Sequence, residues 1–289
     1  MTRAARTYDA GGMDTDKSAD AVAAAPELAA RPPRRGIYLL PNLLTTACLF
    51  SGFYAIVAAI DGNFERSGIA VFVAMLFDGL DGRVARLTST ESAFGKEYDS
   101  LADMVAFGLA PAIVSYQWGV ARIAEYGTAW FRFGWIAAFF YAATAAMRLA
   151  RFNARAAGQD KRYFEGLPSP SAAAVVAGFV WVSSEWHEPG LPGLILAFLV
   201  TLTAGILMVS RFGYPSFKGF DLTRPVRFVT LVIIVAALAV VAGHPRIMLL
   251  LVFGVYAAWA PLVWVWRHVL RRRHVPARPS TGAAPRDPD

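Results

Sequence analysis

Eight stretches of this chain are apolar enough to lie in a bilayer, and that succession restricts the fold more than any other feature. They run at about 38–60, 67–87, 97–120, 133–153, 170–185, 191–210, 226–243 and 246–267. A hydrocarbon core about 30 Å thick takes roughly 20 residues of helix to cross. A helix also satisfies its backbone hydrogen bonds within one segment, as lipid demands. The expected fold class is therefore all-α: a polytopic transmembrane helical bundle of about eight spans. Composition agrees, since 56% of residues are hydrophobic and only 17% charged, against about a quarter charged in soluble domains. The expected layout is a tail at 1–36, disordered or interfacial, one transmembrane domain at 37–268, and a disordered basic tail at 269–289.

An even number of spans puts both termini on one side. With the loops near 88–96, 154–169 and 211–225 on that side too, it holds 24 of the 28 lysines and arginines. The other side keeps only Arg66, Arg122, Arg132 and Arg246. The positive-inside rule makes the richer side cytoplasmic. The expectation is a multi-pass protein of a bacterial inner membrane with both termini in the cytoplasm. The net charge of +7 flanks the apolar runs and forms no basic domain, so its partners are anionic membrane lipids and no nucleic acid is expected. One cysteine, Cys48, excludes an intrachain disulfide and a cysteine-based zinc site, and reads as a small core residue. His187, His244, His268 and His274 fall in loops or at ends. Trp118, Trp130, Trp135, Trp186, Trp264 and Trp266 fall near helix ends, where tryptophan anchors at the interface.

Against this apolar background stand Asp78, Asp81, Asp99 and Asp103. Carboxylates in such segments are costly and mark function. On a helix, Asp78, Asp81, Gly82, Ala85 and Arg86 share a stripe roughly 140° wide. Asp99 and Asp103, four apart, share a face as well. Residues 88–96 form the turn, so the two helices are antiparallel neighbours whose faces can meet. Oxygen-only ligands suit a hard cation such as Mg²⁺ or Mn²⁺, and four carboxylates suit two ions about 4 Å apart, as in phosphoryl-transfer sites. Gly82 leaves room for a ligand beside the helix, and Arg86 offers a fork that matches phosphate.

The run Asp78-x-x-Asp81-Gly82-x-x-Ala85-Arg86, eight residues, Gly95-x-x-x-Asp99-x-x-x-Asp103 resembles the signature of the CDP-alcohol phosphotransferases at every fixed position. The signature covers only 78–103, but the apolar layout agrees with that family's helical fold over about 37–268. The resemblance implies a catalytic domain there and two divalent cations, Mg²⁺ or Mn²⁺. Asp78, Asp81 and Asp99 would hold one, and Asp78, Asp99 and Asp103 the other, with Asp103 also the general base. It implies a CDP-lipid site formed by Gly82, Ala85, Arg86 and Gly95, with Ser92, Asn42 and Thr45 by rough positional equivalence. It further implies a homodimer.

A second region concerns the alcohol acceptor. Met147-Arg148-Leu-Ala-Arg151-Phe-Asn153 and Gly166-Leu-Pro168-Ser169-Pro170 resemble the serine-using, membrane-embedded branch of this family. Serine brings a carboxylate that needs an arginine, an ammonium that needs acceptors, and a hydroxyl for Asp103. Arg148, Arg151 and Asn153 are the serine-side candidates, with Arg211 and Lys218 weaker ones. The implied reaction passes a phosphatidyl group from CDP-diacylglycerol to L-serine. Arginines at a span's end also snorkel to headgroups without binding anything. Glycerol 3-phosphate or inositol phosphate as acceptor is the rival within the family, since Arg155, Lys161 and Arg162 add positive charge nearby. A divalent-cation transporter is the rival of another class, though the acids occur in one helical pair with no second copy. A catalytically dead scaffold is a third.

Overall fold

The computed structural model describes residues 39–88, 90, 92–122, 128–155, 163–185, 190–215 and 228–272, all within the unit Arg35–Asp289. The tail expected at 1–36 lies outside these residues, as do 273–289 of the tail expected at 269–289, whose first four residues are helical. The apolar runs become α1 (Leu39–Ile60), α2 (Phe64–Leu87), α3 (Ala93–Asp103), α4 (Ala110–Ser115), α5 (Thr128–Arg155), α6 (Ser169–Ser183), α7 (Leu191–Val209), α8 (Phe228–Gly243) and α9 (Pro245–Arg272). A π-helical segment, Met104–Leu109, joins α3 and α4 into one column, and a second, Tyr116–Val120, continues it beyond α4. Among the described residues the architecture is all-α but for a two-stranded antiparallel ribbon of β1 (Tyr163–Glu165) and β2 (Gly213–Pro215).

Among the described residues, four segments, Leu39–Ile60, Phe133–Ala154, Leu191–Val209 and Pro245–Arg267, are long and apolar enough to cross a membrane by length and composition. α2 is as long but carries Asp78, Asp81, Arg83 and Arg86 in its last turns, and α6 has 15 residues. Large apolar side chains such as Phe50, Phe53, Leu199, Val255 and Trp266 stand exposed on the outer faces. A lipid-facing belt explains such a surface, and the chain is an integral membrane protein.

Inside, the packing uses small residues. Cys48, Ala55, Ala70, Ala74, Ala106 and Ala110 belong to one buried cluster between α1, α2 and the α3–α4 column. Helices in lipid gain from close backbone approach, and Gly52 shows how close. A Cβ there would lie 2.6 Å from Ala106 Cα. Side-chain hydroxyls tie neighbours together: Ser67 donates to Ala55 O at 2.7 Å and Tyr141 to Phe107 O at 3.1 Å. Trp118 departs from its expected anchoring role. It is buried, edge-on to Phe179 at 5.5 Å, because the π segment turns it inward. Trp135, Trp264 and Trp266 stay exposed, while Trp186, His187 and His274 lie outside the described residues. His244 is exposed in the turn between α8 and α9.

Candidate active site

The aspartates are placed by a helical hairpin whose ends are capped by its own side chains. Asn63 opens α2, its side chain accepting from Arg66 N at 3.1 Å. Ser92 opens α3, its Oγ accepting from Gly95 N at 2.9 Å. Such caps satisfy amides that the first turn leaves free. α2 therefore delivers Asp78 and Asp81 from its last turns, and α3 returns Asp99 and Asp103 along the facing side.

Asp78, Asp99 and Asp103 converge. One carboxylate oxygen from each lies within 4.8 Å of the others. Asp103 is half-buried, and its Oδ1 is buried with no hydrogen-bond partner. A buried acceptor in that condition calls for a partner, and an all-carboxylate donor set suits a hard divalent cation. These residues can hold a metal ion. Asp81 stands outside the set of three: it is buried, and Thr45 donates to its Oδ2 at 2.7 Å. Thr45 has Pro41 O in reach at 3.1 Å as well, but its single proton favours the shorter, charge-assisted contact.

The nucleotide-side candidates fall in two groups. A Cβ on Gly82 would meet the Arg86 guanidinium at 4.0 Å, an ordinary contact distance, so that fork lies over the glycine. Ala85 is half-buried on the same stripe. Around Gly95 the space is tighter. A Cβ there would sit 3.1 Å from Ser92 Oγ and 3.5 Å from Asn42 Oδ1, which brings Asn42, Ser92 and Gly95 together. Thr45, expected beside them, turns its hydroxyl to Asp81 instead.

On the acceptor side, the three residues expected to work as a group are each held differently. Arg148 is buried and donates from Nη1 to Ser169 Oγ at 2.9 Å, while its Nε is buried without a partner. It lies within electrostatic reach of Asp103. Arg151 donates from Nη2 to Glu165 O at 2.9 Å. Asn153 donates from Nδ2 to Ser100 Oγ at 2.9 Å, next to Asp99. Arg211 is exposed, and Lys161, Arg162 and Lys218 lie outside the described residues.

Several contacts had no sequence signal. Thr46 donates to Asn42 O at 2.7 Å, so Tyr98 is the donor in its 3.0 Å contact with Thr46. That contact ties α1 to α3 beside the site. Tyr214 on the ribbon donates to Ala257 O at 2.9 Å, and burial pushes its hydroxyl pKa up, so it stays protonated.

A family profile for CDP-alcohol phosphatidyltransferases matches residues 38–210. The CDP-diacylglycerol–serine O-phosphatidyltransferase of Helicobacter pylori strain J99 is 36% identical over 236 residues, covering 81% of this chain and 94% of the relative. The protein of the same name from Mycobacterium tuberculosis H37Rv is 31% identical over 250 residues, covering 81% and 84%. The archaetidylserine synthase of Methanothermobacter thermautotrophicus is 33% identical over 183 residues, covering 62% and 71%.

Proposed function

Because the chain belongs to the CDP-alcohol phosphatidyltransferase family, we propose that it transfers the phosphatidyl group of CDP-diacylglycerol to the hydroxyl of L-serine, giving phosphatidylserine and CMP. The observation that carries this reading is the convergence of Asp78, Asp99 and Asp103, with one carboxylate oxygen of each within 4.8 Å of the others. The serine relatives choose the acceptor.

In this reading Asp78, Asp81, Asp99 and Asp103 hold two divalent cations, Mg²⁺ or Mn²⁺. When bound, these neutralise the pyrophosphate and the charge that develops on departing CMP. Thr45 orients Asp81. Gly82 and Ala85 leave the α2 face low, and Arg86 reaches across it to a phosphate. Asn42, Ser92 and Gly95 line the nucleotide end. Arg148 and Arg151 take the serine carboxylate, and Asn153 fixes the α5 end against Ser100. Asp103 accepts the proton of the serine hydroxyl. The serine oxygen then bonds to the lipid-side phosphorus, the bond from that phosphorus to the CMP oxygen breaks, and CMP leaves with the electron pair. The site opens to the cytoplasm, on the side that gathers most lysines and arginines.

The test is CMP release by purified protein in detergent, with CDP-diacylglycerol and one acceptor at a time. Release is expected with serine, to require Mg²⁺ or Mn²⁺, and to stop on chelation. Release only with glycerol 3-phosphate or inositol phosphate would discard the serine side and keep the aspartate chemistry. Metal flux into liposomes without CMP release would replace the enzyme by a transporter.

A narrower prediction concerns Thr45. Removing its hydroxyl in Thr45→Val takes a charge-assisted bond from Asp81. Partners of ligating carboxylates commonly govern metal affinity by about 10–100-fold. The Mg²⁺ concentration for half-maximal rate should rise within that range, while the rate at saturating Mg²⁺ stays near wild type. An unchanged Mg²⁺ titration would separate Thr45 from the metal site.

A further inference from the structure

The acceptor-side arginines are tied to α9 by an unbroken series of contacts, and α9 lies beyond the residues, 38–210, that match the family. Arg148 and Arg151 both bond to the short segment 165–169, through Ser169 Oγ and Glu165 O. That segment is strand end and helix lead-in, so its position depends on what it leans against. It leans on the chain around β2. Gly166 N donates to Phe212 O and Leu167 N to Leu207 O, each at 2.9 Å. β1 pairs with β2 in the register Tyr163–Pro215, Phe164–Tyr214, Glu165–Gly213.

β2 in turn is held by α9. Tyr256 donates to Pro215 O at 3.2 Å and Tyr214 to Ala257 O at 2.9 Å, with the two rings 5.4 Å apart. Phe212 meets Trp264 edge-on at 5.8 Å. Tyr256 also lies within electrostatic reach of Arg148. One side chain of α9 thus bonds the ribbon and packs against its Tyr214.

We propose that Tyr256 is a positioning residue for the acceptor: through the β1–β2 ribbon and the 165–169 segment it fixes the two arginine forks that receive the amino-acid carboxylate. This rests on the serine reading of Arg148 and Arg151. A planar fork gives its two parallel bonds only when correctly aimed, and a site left loose by about 1 Å loses binding. Tyr256→Phe keeps the ring against Tyr214 and removes one hydroxyl.

The experiment is steady-state CMP release by full-length protein in detergent with Mg²⁺, varying serine at saturating CDP-diacylglycerol and then the reverse. Wild type, Tyr256→Phe and Arg151→Ala are compared. Tyr256→Phe is expected to raise the serine KM about 5-fold, the loss of one hydrogen bond's net worth, with the CDP-diacylglycerol KM unchanged. A purely structural role would shrink the active fraction, lowering the maximal rate and moving neither KM. The pair Tyr256→Phe with Arg151→Ala should raise the serine KM by less than the product of the single effects, because both act on one contact. A normal serine KM in Tyr256→Phe, beside a raised one in Arg151→Ala, overturns the proposal. A normal serine KM in Arg151→Ala, or no serine-dependent release by wild type, withdraws the acceptor reading beneath it.

Discussion

Asp103→Asn is expected to lower serine-dependent CMP release by about a thousandfold, within the range that general acid–base groups supply. The amide has nearly the same shape but cannot take the serine proton at neutral pH. It also replaces an anionic oxygen in the set formed with Asp78 and Asp99. The two losses are separable. A base alone removed leaves Mg²⁺ affinity intact, whereas a ligand removed raises the Mg²⁺ requirement at any residual rate. Arg148 also lies within electrostatic reach of Asp103. Taking the negative charge away leaves a buried guanidinium less compensated, which carries a stability cost. Thermal unfolding of the variant in detergent therefore belongs in the same experiment. A folded Asp103→Asn protein that keeps more than a tenth of the wild-type rate would falsify both roles for Asp103.

The position of Asp103 also shows where sequence reading stops. Its neighbours in the signature were legible because carboxylates at fixed spacing on a helix define a face. The backbone just after it was not. Asp103 is the last residue of α3 before the π segment Met104–Leu109, and no residue type announces a π turn. Trp118 fails for the same reason, since a second π segment re-aims it into the core. Helix spans were legible where apolar runs decide them, as at Leu191–Val209. They were misjudged where caps decide. α2 begins at Phe64 because Asn63 caps it, three residues before its apolar run, and α3 begins at Ala93 because Ser92 caps it. Ser92 was read only as a nucleotide contact. α9 runs on to Arg272, past the apolar stretch, since arginines extend a helix readily. The ribbon was invisible: three-residue strands carry no periodicity, and β1 and β2 lie far apart in sequence. With it went Tyr214 and Tyr256, which look like ordinary aromatics of a loop and a span.

Gly166→Ala should then be the most damaging alanine substitution among the described glycines. The segment Gly166-Leu-Pro168-Ser-Pro170 leads from β1 into α6, and Gly166 is its pivot. It has φ +80°, a conformation that L side chains rarely adopt. An added Cβ would lie 2.3 Å from Met208 O and 3.0 Å from Ser210 O. Those atoms are backbone at the end of α7, so no side chain can rotate away. Strained backbone of this kind costs about 1–3 kcal/mol, and the clash adds an overpacking term of similar size. The chain's escape is to swing 165–169 away from 207–212, which breaks the bonds from Gly166 N to Phe212 O and Leu167 N to Leu207 O. Glu165 O and Ser169 Oγ move with it, and Arg151 and Arg148 lose their anchors. The expected outcome is a melting temperature in detergent lowered by several degrees, together with a serine KM raised more than in Tyr256→Phe. A variant that melts and binds serine like wild type would mean that α7 yields to the methyl, and that the 165–169 segment does not hold the arginines in place.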